Sequence, residues 1–273
     1  MSYSYSASWQ FSKQTLPPAD KELSYLAIAP TYENADILAY GALRSEVTPL
    51  RWNQEEVADL GTYLSGDALV GSAATERRFK QDAAQYEVLH LATHALVNNQ
   101  RSERSGLVFA PPSDSLEDGL LQLHELYAME LPAQLAVLSA CNTGGGQLEE
   151  GEGVMSLARA FAYAGCPSIV MSHWSVDDQA TAQLMKYFYQ YLSEGLNKSE
   201  ALRQAKLSLL ASDKLPANPF YWASFALVGD IQPLVQTSKY ERELMFFFLS
   251  LVTVALIATA IYRLKEGRAH RAG

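Results

Sequence analysis

A histidine and a cysteine carry the most capable chemistry in this sequence. His94 closes the run Val88-Leu89-His90-Leu91-Ala92-Thr93-His94, and Cys141 closes Leu135-Ala136-Val137-Leu138-Ser139-Ala140-Cys141. Each is an apolar, strand-like burst that ends on a reactive side chain and then meets turn or helix signals. In an open parallel α/β sheet, reactive groups collect beyond the carboxyl ends of the strands, so two such endings on neighbouring strands face each other. A thiol beside an imidazole is the arrangement that activates cysteine as a nucleophile, with the imidazole as base or ion-pair partner.

The order, with His first and Cys 47 residues later, is that of caspase-type peptidases. Four segments narrow the reading: His90-Leu91-Ala92-Thr93-His94; Leu138-Ser139-Ala140-Cys141-Asn142-Thr143-Gly144; the stretch 151–161, beginning Gly151-Glu152-Gly153; and Ser172-His173-Trp174-Ser175-Val176-Asp177-Asp178. Together they resemble the CHAT family of caspase-like (clan CD) cysteine peptidases, often fused to TPR repeats, over about residues 23–230. The resemblance implies a caspase-like three-layer α/β sandwich and an endopeptidase that cuts a specific protein or peptide substrate. It implies Cys141 as nucleophile, His94 as base, no cofactor, and control by a TPR-type sensor or regulator. Where the family often has Gly after the catalytic His, this chain has Ala95. Alanine keeps its N–H, so the backbone groups of Ala95 and Cys141 are the expected oxyanion donors; only a positive φ would strain it.

The elements that must position this pair alternate. Residues 23–29, 87–93, 135–140 and 167–172 are short apolar runs bounded by turn residues and read as buried strands, with 224–229 as a last one. Helical spacing appears over 34–43, 54–64, 74–85 with Thr75 as cap, 153–164, 177–194, and 197–211 with Asn197 or Ser199 as cap. Such alternation predicts a mostly parallel sheet with helices on both faces. Gly144 to Gly146 permit either a tight turn that aims backbone N–H groups at an oxyanion or a flexible loop.

In caspase-like folds the segment after the next strand lines the cleft, often by pairing with the substrate backbone. Ser172, His173, Trp174 and Asp177 are therefore the expected substrate-binding residues: Trp174 offers an apolar face, and Asp177 or Asp178 either attracts a basic residue or caps the next helix. His90 and His124 read as structural histidines. Glu149, Glu150 and Glu152 lack His or Cys partners at ligand spacing, so no metal site is expected. The second cysteine, Cys166, precedes an apolar run and reads as a buried structural thiol, and two cysteines build no disulfide framework.

Of 273 residues 48% are hydrophobic, enough for a real core, and a net charge of −9 argues against a nucleic-acid partner. Residues 1–20 read as a linker or the tail of something longer, 21–236 as the peptidase domain, and 263–273 as a short basic tail. Between the last two, residues 244–262 carry no charge, have basic flanks, and would extend about 28 Å as a helix. That pattern predicts a single-pass transmembrane helix and a membrane localisation, with orientation open. A silent peptide-binding scaffold of the same fold, and another thiol hydrolase or acyltransferase, are the alternative functions.

Overall fold

Short uninterrupted apolar runs give strands buried on both faces, and amphipathic runs between them give the helices that cover those faces. The computed structural model describes residues 23–32, 49–96, 105–111, 117–139, 141–142, 152–174, 177–212 and 216–234. All of them belong to one unit, Leu23–Leu234. In chain order the elements are β1 (Ser24–Ala29), α1 (Asn53–Ala58), β2 (Ser65–Val70), α2 (Glu76–Asp82), β3 (Val88–Leu91), β4 (His94–Leu96), β5 (Gly106–Val108), β6 (Leu120–Gln122), α3 (Leu123–Tyr127), β7 (Leu135–Leu138), β8 (Cys141–Asn142), α4 (Glu152–Ala164), β9 (Ser168–Ser172), α5 (Asp178–Ser193), α6 (Lys198–Ala211), α7 (Pro219–Trp222) and β10 (Phe225–Gly229).

The main sheet has the order β10-β9-β7-β3-β1-β2. Its pairings are parallel except at the edge, where β10 runs antiparallel to β9. Side chains alternate between its faces with period two. Leu89, Leu91, Ala136, Leu138, Ile169 and Met171 join one buried cluster with Phe79 of α2 and Phe161 of α4. Val88, Leu135, Val137 and Val170 join the other, with Val57 of α1, Phe188 of α5 and Leu202 of α6. Helix, sheet and helix form three layers, the sandwich the sequence predicts.

Local chemistry sets the helix starts. Thr75 accepts from the N–H of Arg78 at 3.3 Å, Asp177 from Ala180 at 3.0 Å, and Asn197 from Glu200 at 2.8 Å. Each satisfies a donor that the first turn leaves without an intrahelical partner. A second sheet, β6-β5-β4-β8, grows from the same chain. The expected strands 87–93 and 135–140 each break after four paired residues, and the chain re-enters a ladder two residues later as β4 and β8.

The expected membrane span is corrected. Such a span needs one continuous apolar helix, because lipid offers backbone groups no other partner. No helix among the described residues is long and apolar enough to cross a membrane. The longest, α5, has 16 residues and carries Asp178, Gln179 and Gln190. The run 244–262 lies outside the described residues, as do the expected linker 1–20, the helix 34–43 and the tail 263–273. The membrane localisation and membrane partner inferred from that run fall with the span.

Candidate active site

β3 and β7 lie side by side in the main sheet, and β4 and β8 lie side by side in the small one. Val88 pairs with Leu135 and His94 pairs with Cys141, the same offset of 47 residues in both sheets. The two links, Ala92-Thr93 and Ser139-Ala140, therefore leave the register unchanged. That conservation of register makes His94 and Cys141 partners on adjacent parallel strands, with backbones about 4.8 Å apart by strand spacing. Ala95 sits one step further, between Leu107 of β5 and Asn142 of β8.

His94 is fully buried. The Tyr32 ring packs on its imidazole with centroids 4.8 Å apart. The Tyr32 hydroxyl accepts from the His94 backbone N–H at 3.4 Å and donates to the Val108 carbonyl at 2.8 Å. The Thr93 hydroxyl donates to the same carbonyl. Tyr32 thus ties the end of β1 to β4 and β5 around the histidine, with Leu96 and Val108 completing a small apolar cluster. Sequence reasoning missed Tyr32. It follows β1 in an irregular stretch, where no periodic signal marks a contact 62 residues away.

The first histidine of the motif has a different task. His90 is buried in β3, with Nδ1 2.9 Å from the Tyr189 hydroxyl and Nε2 2.9 Å from Glu56 Oε1. It ties α1 and α5 to the sheet. His124 is exposed on α3.

The expected cleft residues separate. Ser172 is buried at the end of β9 and pairs with Phe225. The His173 N–H donates to the Ser224 carbonyl at 2.9 Å, so β10 already fills the ladder position on that side. The His173 side chain lines a groove with Leu202, Arg203 and Lys206. Burial, then the Lys206 charge, holds its pKa below the ordinary value. Trp174 Nε1 donates to the Phe220 carbonyl at 3.0 Å. Asp177 caps α5, the capping alternative of the sequence reading. Gly144 to Gly146 and residues 149–151 lie outside the described residues. Cys166 is fully buried, its thiol pushed well up by burial and its Sγ 3.5 Å from the Leu131 carbonyl oxygen.

A carboxylate trio that the sequence did not single out, Glu76, Glu117 and Glu125, offers oxygens within 4.8 Å of one another. Lys80 Nζ reaches all three, at 2.6, 2.8 and 2.7 Å. An ammonium of the chain itself neutralises the position a cation would take.

Comparison with known proteins agrees with this architecture. Tetratricopeptide repeat protein 28 of Homo sapiens is 30% identical over 212 residues, covering 66% of this chain and 8% of that protein. The Mus musculus protein of the same name is 26% identical over 215 residues, covering 66% of this chain and 9% of its own length. The chain spans less than a tenth of the curated relatives it matches. Among solved structures, the complex of Porphyromonas gingivalis RgpB pro- and mature domains matches 78% of this chain and 48% of that chain, at 11% identity and a TM-score of 0.50. The structure described as the Arg-specific cysteine proteinase gingipain R (RgpB) matches the same shares at 12% identity and a TM-score of 0.49. The RgpB complex shares the α/β fold with this chain. Residues 5–230 match the model of the CHAT domain, and the chain belongs to the CHAT domain family.

Proposed function

We propose that this chain is a cysteine endopeptidase in which Cys141 is the nucleophile and His94 the base. The observation that carries the reading is the register pairing of His94 with Cys141 on adjacent parallel strands. The name of RgpB, a cysteine proteinase, supports it on a shared fold. In the first step His94 takes the thiol proton, and the thiolate adds to the scissile carbonyl. The resulting oxyanion is met by the backbone N–H groups of Cys141 and Ala95, where loss of one such donor costs about 3 kcal/mol. Collapse breaks the C–N bond as the imidazolium protonates the departing amine. Water, deprotonated by His94, then hydrolyses the thioester and frees the thiol.

Tyr32 acts as a positioning residue: its ring and hydroxyl fix the imidazole and backbone of His94 without touching the reacting atoms. The TPR name of the relatives supports a tetratricopeptide-type regulator for this domain. A thiol-directed electrophilic peptide tests the assignment. Cys141→Ala is expected to abolish labelling and cleavage, whereas Cys166→Ala keeps both, because a buried, desolvated thiol is inert. Labelling at Cys166, or unchanged cleavage by Cys141→Ala, overturns the reading. Full labelling without cleavage of any peptide favours the silent-scaffold alternative.

A further inference from the structure

Two lysines of α6 turn toward the sheet edge at β10, and only one of them finds a carboxylate there. Lys198 Nζ lies 3.0 Å from Asp230 Oδ2. Lys206 Nζ donates to the Phe225 carbonyl at 2.6 Å, and no carboxylate of the described residues pairs with it. The other described lysines, Lys80 and Lys186, have carboxylates at 2.6 to 3.0 Å. A half-buried ammonium has three donors to satisfy, and a lone carbonyl takes only one. Desolvating such a charge is costly unless it is paired, and burial holds the Lys206 pKa below its ordinary value.

The groove around Lys206, about 310 Å³, extends this imbalance. Its polar lining comes from His173, Ser199, Arg203 and Lys206, with no carboxylate, on a chain whose net charge is −9. After burial, the Lys206 charge is what holds the His173 pKa down, so each basic group disfavours charge on the other. An anion in the groove relieves both. Arg203 spends two of its five donors on the Glu200 oxygens, at 2.8 and 2.6 Å. The wall beside these groups is apolar, built from Leu202, Ala223 and Ala226. Leu207, 45% exposed, carries that apolar surface one helical turn beyond Arg203. A free inorganic anion would leave the apolar wall unused; a peptide with apolar residues around a carboxylate covers both.

We propose that this groove docks a protein partner through an acidic residue flanked by apolar ones, its carboxylate seated on Lys206 and His173. The inference goes beyond the peptidase reading and does not rest on it. The Lys198 N–H donates to the Ile231 carbonyl at 3.1 Å, and Lys206 reaches Phe225, so α6 follows β10 along its length. The groove therefore borders one edge of the main sheet, whereas His94 and Cys141 stand in the smaller sheet.

The test titrates the full chain into two fluorescein-labelled peptides, Leu-Glu-Leu-Glu-Leu and Leu-Gln-Leu-Gln-Leu, and reads anisotropy. The glutamate peptide is expected to bind at least about tenfold more tightly, the worth of a charge-assisted hydrogen bond. Lys206→Met should abolish that margin. Because Lys206 also holds the Phe225 carbonyl, Arg203→Gln serves as a second variant that leaves this hydrogen bond intact. It sits on the exposed side of the groove and should reduce the margin by about twofold to fivefold. Equal affinity of the two peptides, no saturable binding up to about 1 mM, or a margin unchanged in either variant overturns the proposal. Inorganic phosphate bound as tightly as the glutamate peptide overturns it in favour of a small anion. Self-association of the chain that Lys206→Met abolishes overturns it in favour of a second copy.

Discussion

Two groups of carboxylates sit against the sheet ends, and they differ in what balances them. Around Lys80, three glutamates converge on one ammonium at 2.6 to 2.8 Å. Burial raises the Glu76 carboxyl to about 7 even with the Lys80 hydrogen bond and charge pulling it down. Those three carboxylates raise the Lys80 pKa against the opposing effect of burial. Around the small cavity lined by Asn53, Ser139 and Thr181, Glu56 Oε1 lies 2.9 Å from His90 Nε2 and Asp178 Oδ2 accepts from the Arg51 N–H at 3.3 Å. The first cluster is complete within the chain, and its cation ties α2 to the segment before β6 and to α3. The second is held by an imidazole and a backbone N–H, without an ammonium. The contrast teaches that acidity alone identifies neither; the partner the chain supplies decides what each carboxylate does.

Removing that cation is the largest expected perturbation of stability. Lys80→Met leaves Glu76, 2% exposed, without its ammonium. The expected loss is about 2–4 kcal/mol at neutral pH, somewhat under the cost of breaking a fully buried pair because Lys80 is 24% exposed. The pH dependence has a definite sign. A carboxyl whose folded pKa lies near 7, above its unfolded value of 4.5, favours folding when protonated. Its contribution is fully present below about pH 4.5 and lost as pH rises through 7. Without Lys80 the folded pKa rises further, so the deficit of Lys80→Met against the parent should be smaller at pH 5 than at pH 7.5. Urea unfolding of both proteins at the two pH values measures it. An equal deficit at both removes Glu76 as the cause.

The opposite cluster should respond far less. Asp178→Asn removes a charge that burial and two neighbouring carboxylates already disfavour. Against this stands the favourable position of a carboxylate in the first turn of α5, worth about 0.3–1 kcal/mol. Stability should therefore stay within about 0.5 kcal/mol of the parent, as for substitutions away from special features. A loss comparable to that of Lys80→Met would make the two clusters equivalent and end the distinction.

Much of this was readable in the residues. The strand runs, the caps Thr75, Asp177 and Asn197, and the offset between His94 and Cys141 are local or periodic signals, and the folded chain keeps that offset as a register. What escaped depends on contacts distant in sequence. β5 and β6 have three residues each, too short to show a period. β2 is exposed over its first four residues and lacks the apolar run that marks its neighbours. The cavity draws one polar atom each from α1, the link after β7, and α5, which no spacing rule connects. The membrane span rested on composition alone: the run 244–262 lies outside the described residues, and no helix among those described is long and apolar enough to cross a membrane.

Asp177 gives the finest test of the comparison, because it stands next to Asp178 and has the same chemistry. Its Oδ1 accepts from the Ala180 N–H at 3.0 Å, closing the first turn of α5. Its neighbour lines the cavity. Asp177→Ala should lose about 1 kcal/mol, the typical value of an N-cap. Asp177→Ser keeps a capping oxygen without the charge and should recover most of it. Neither change should alter labelling of Cys141, because the hydrogen bond to the Ala180 N–H makes Asp177 a cap. If Asp177→Ser recovers none of the loss, the charge of Asp177 and not its capping oxygen carries the contribution to α5.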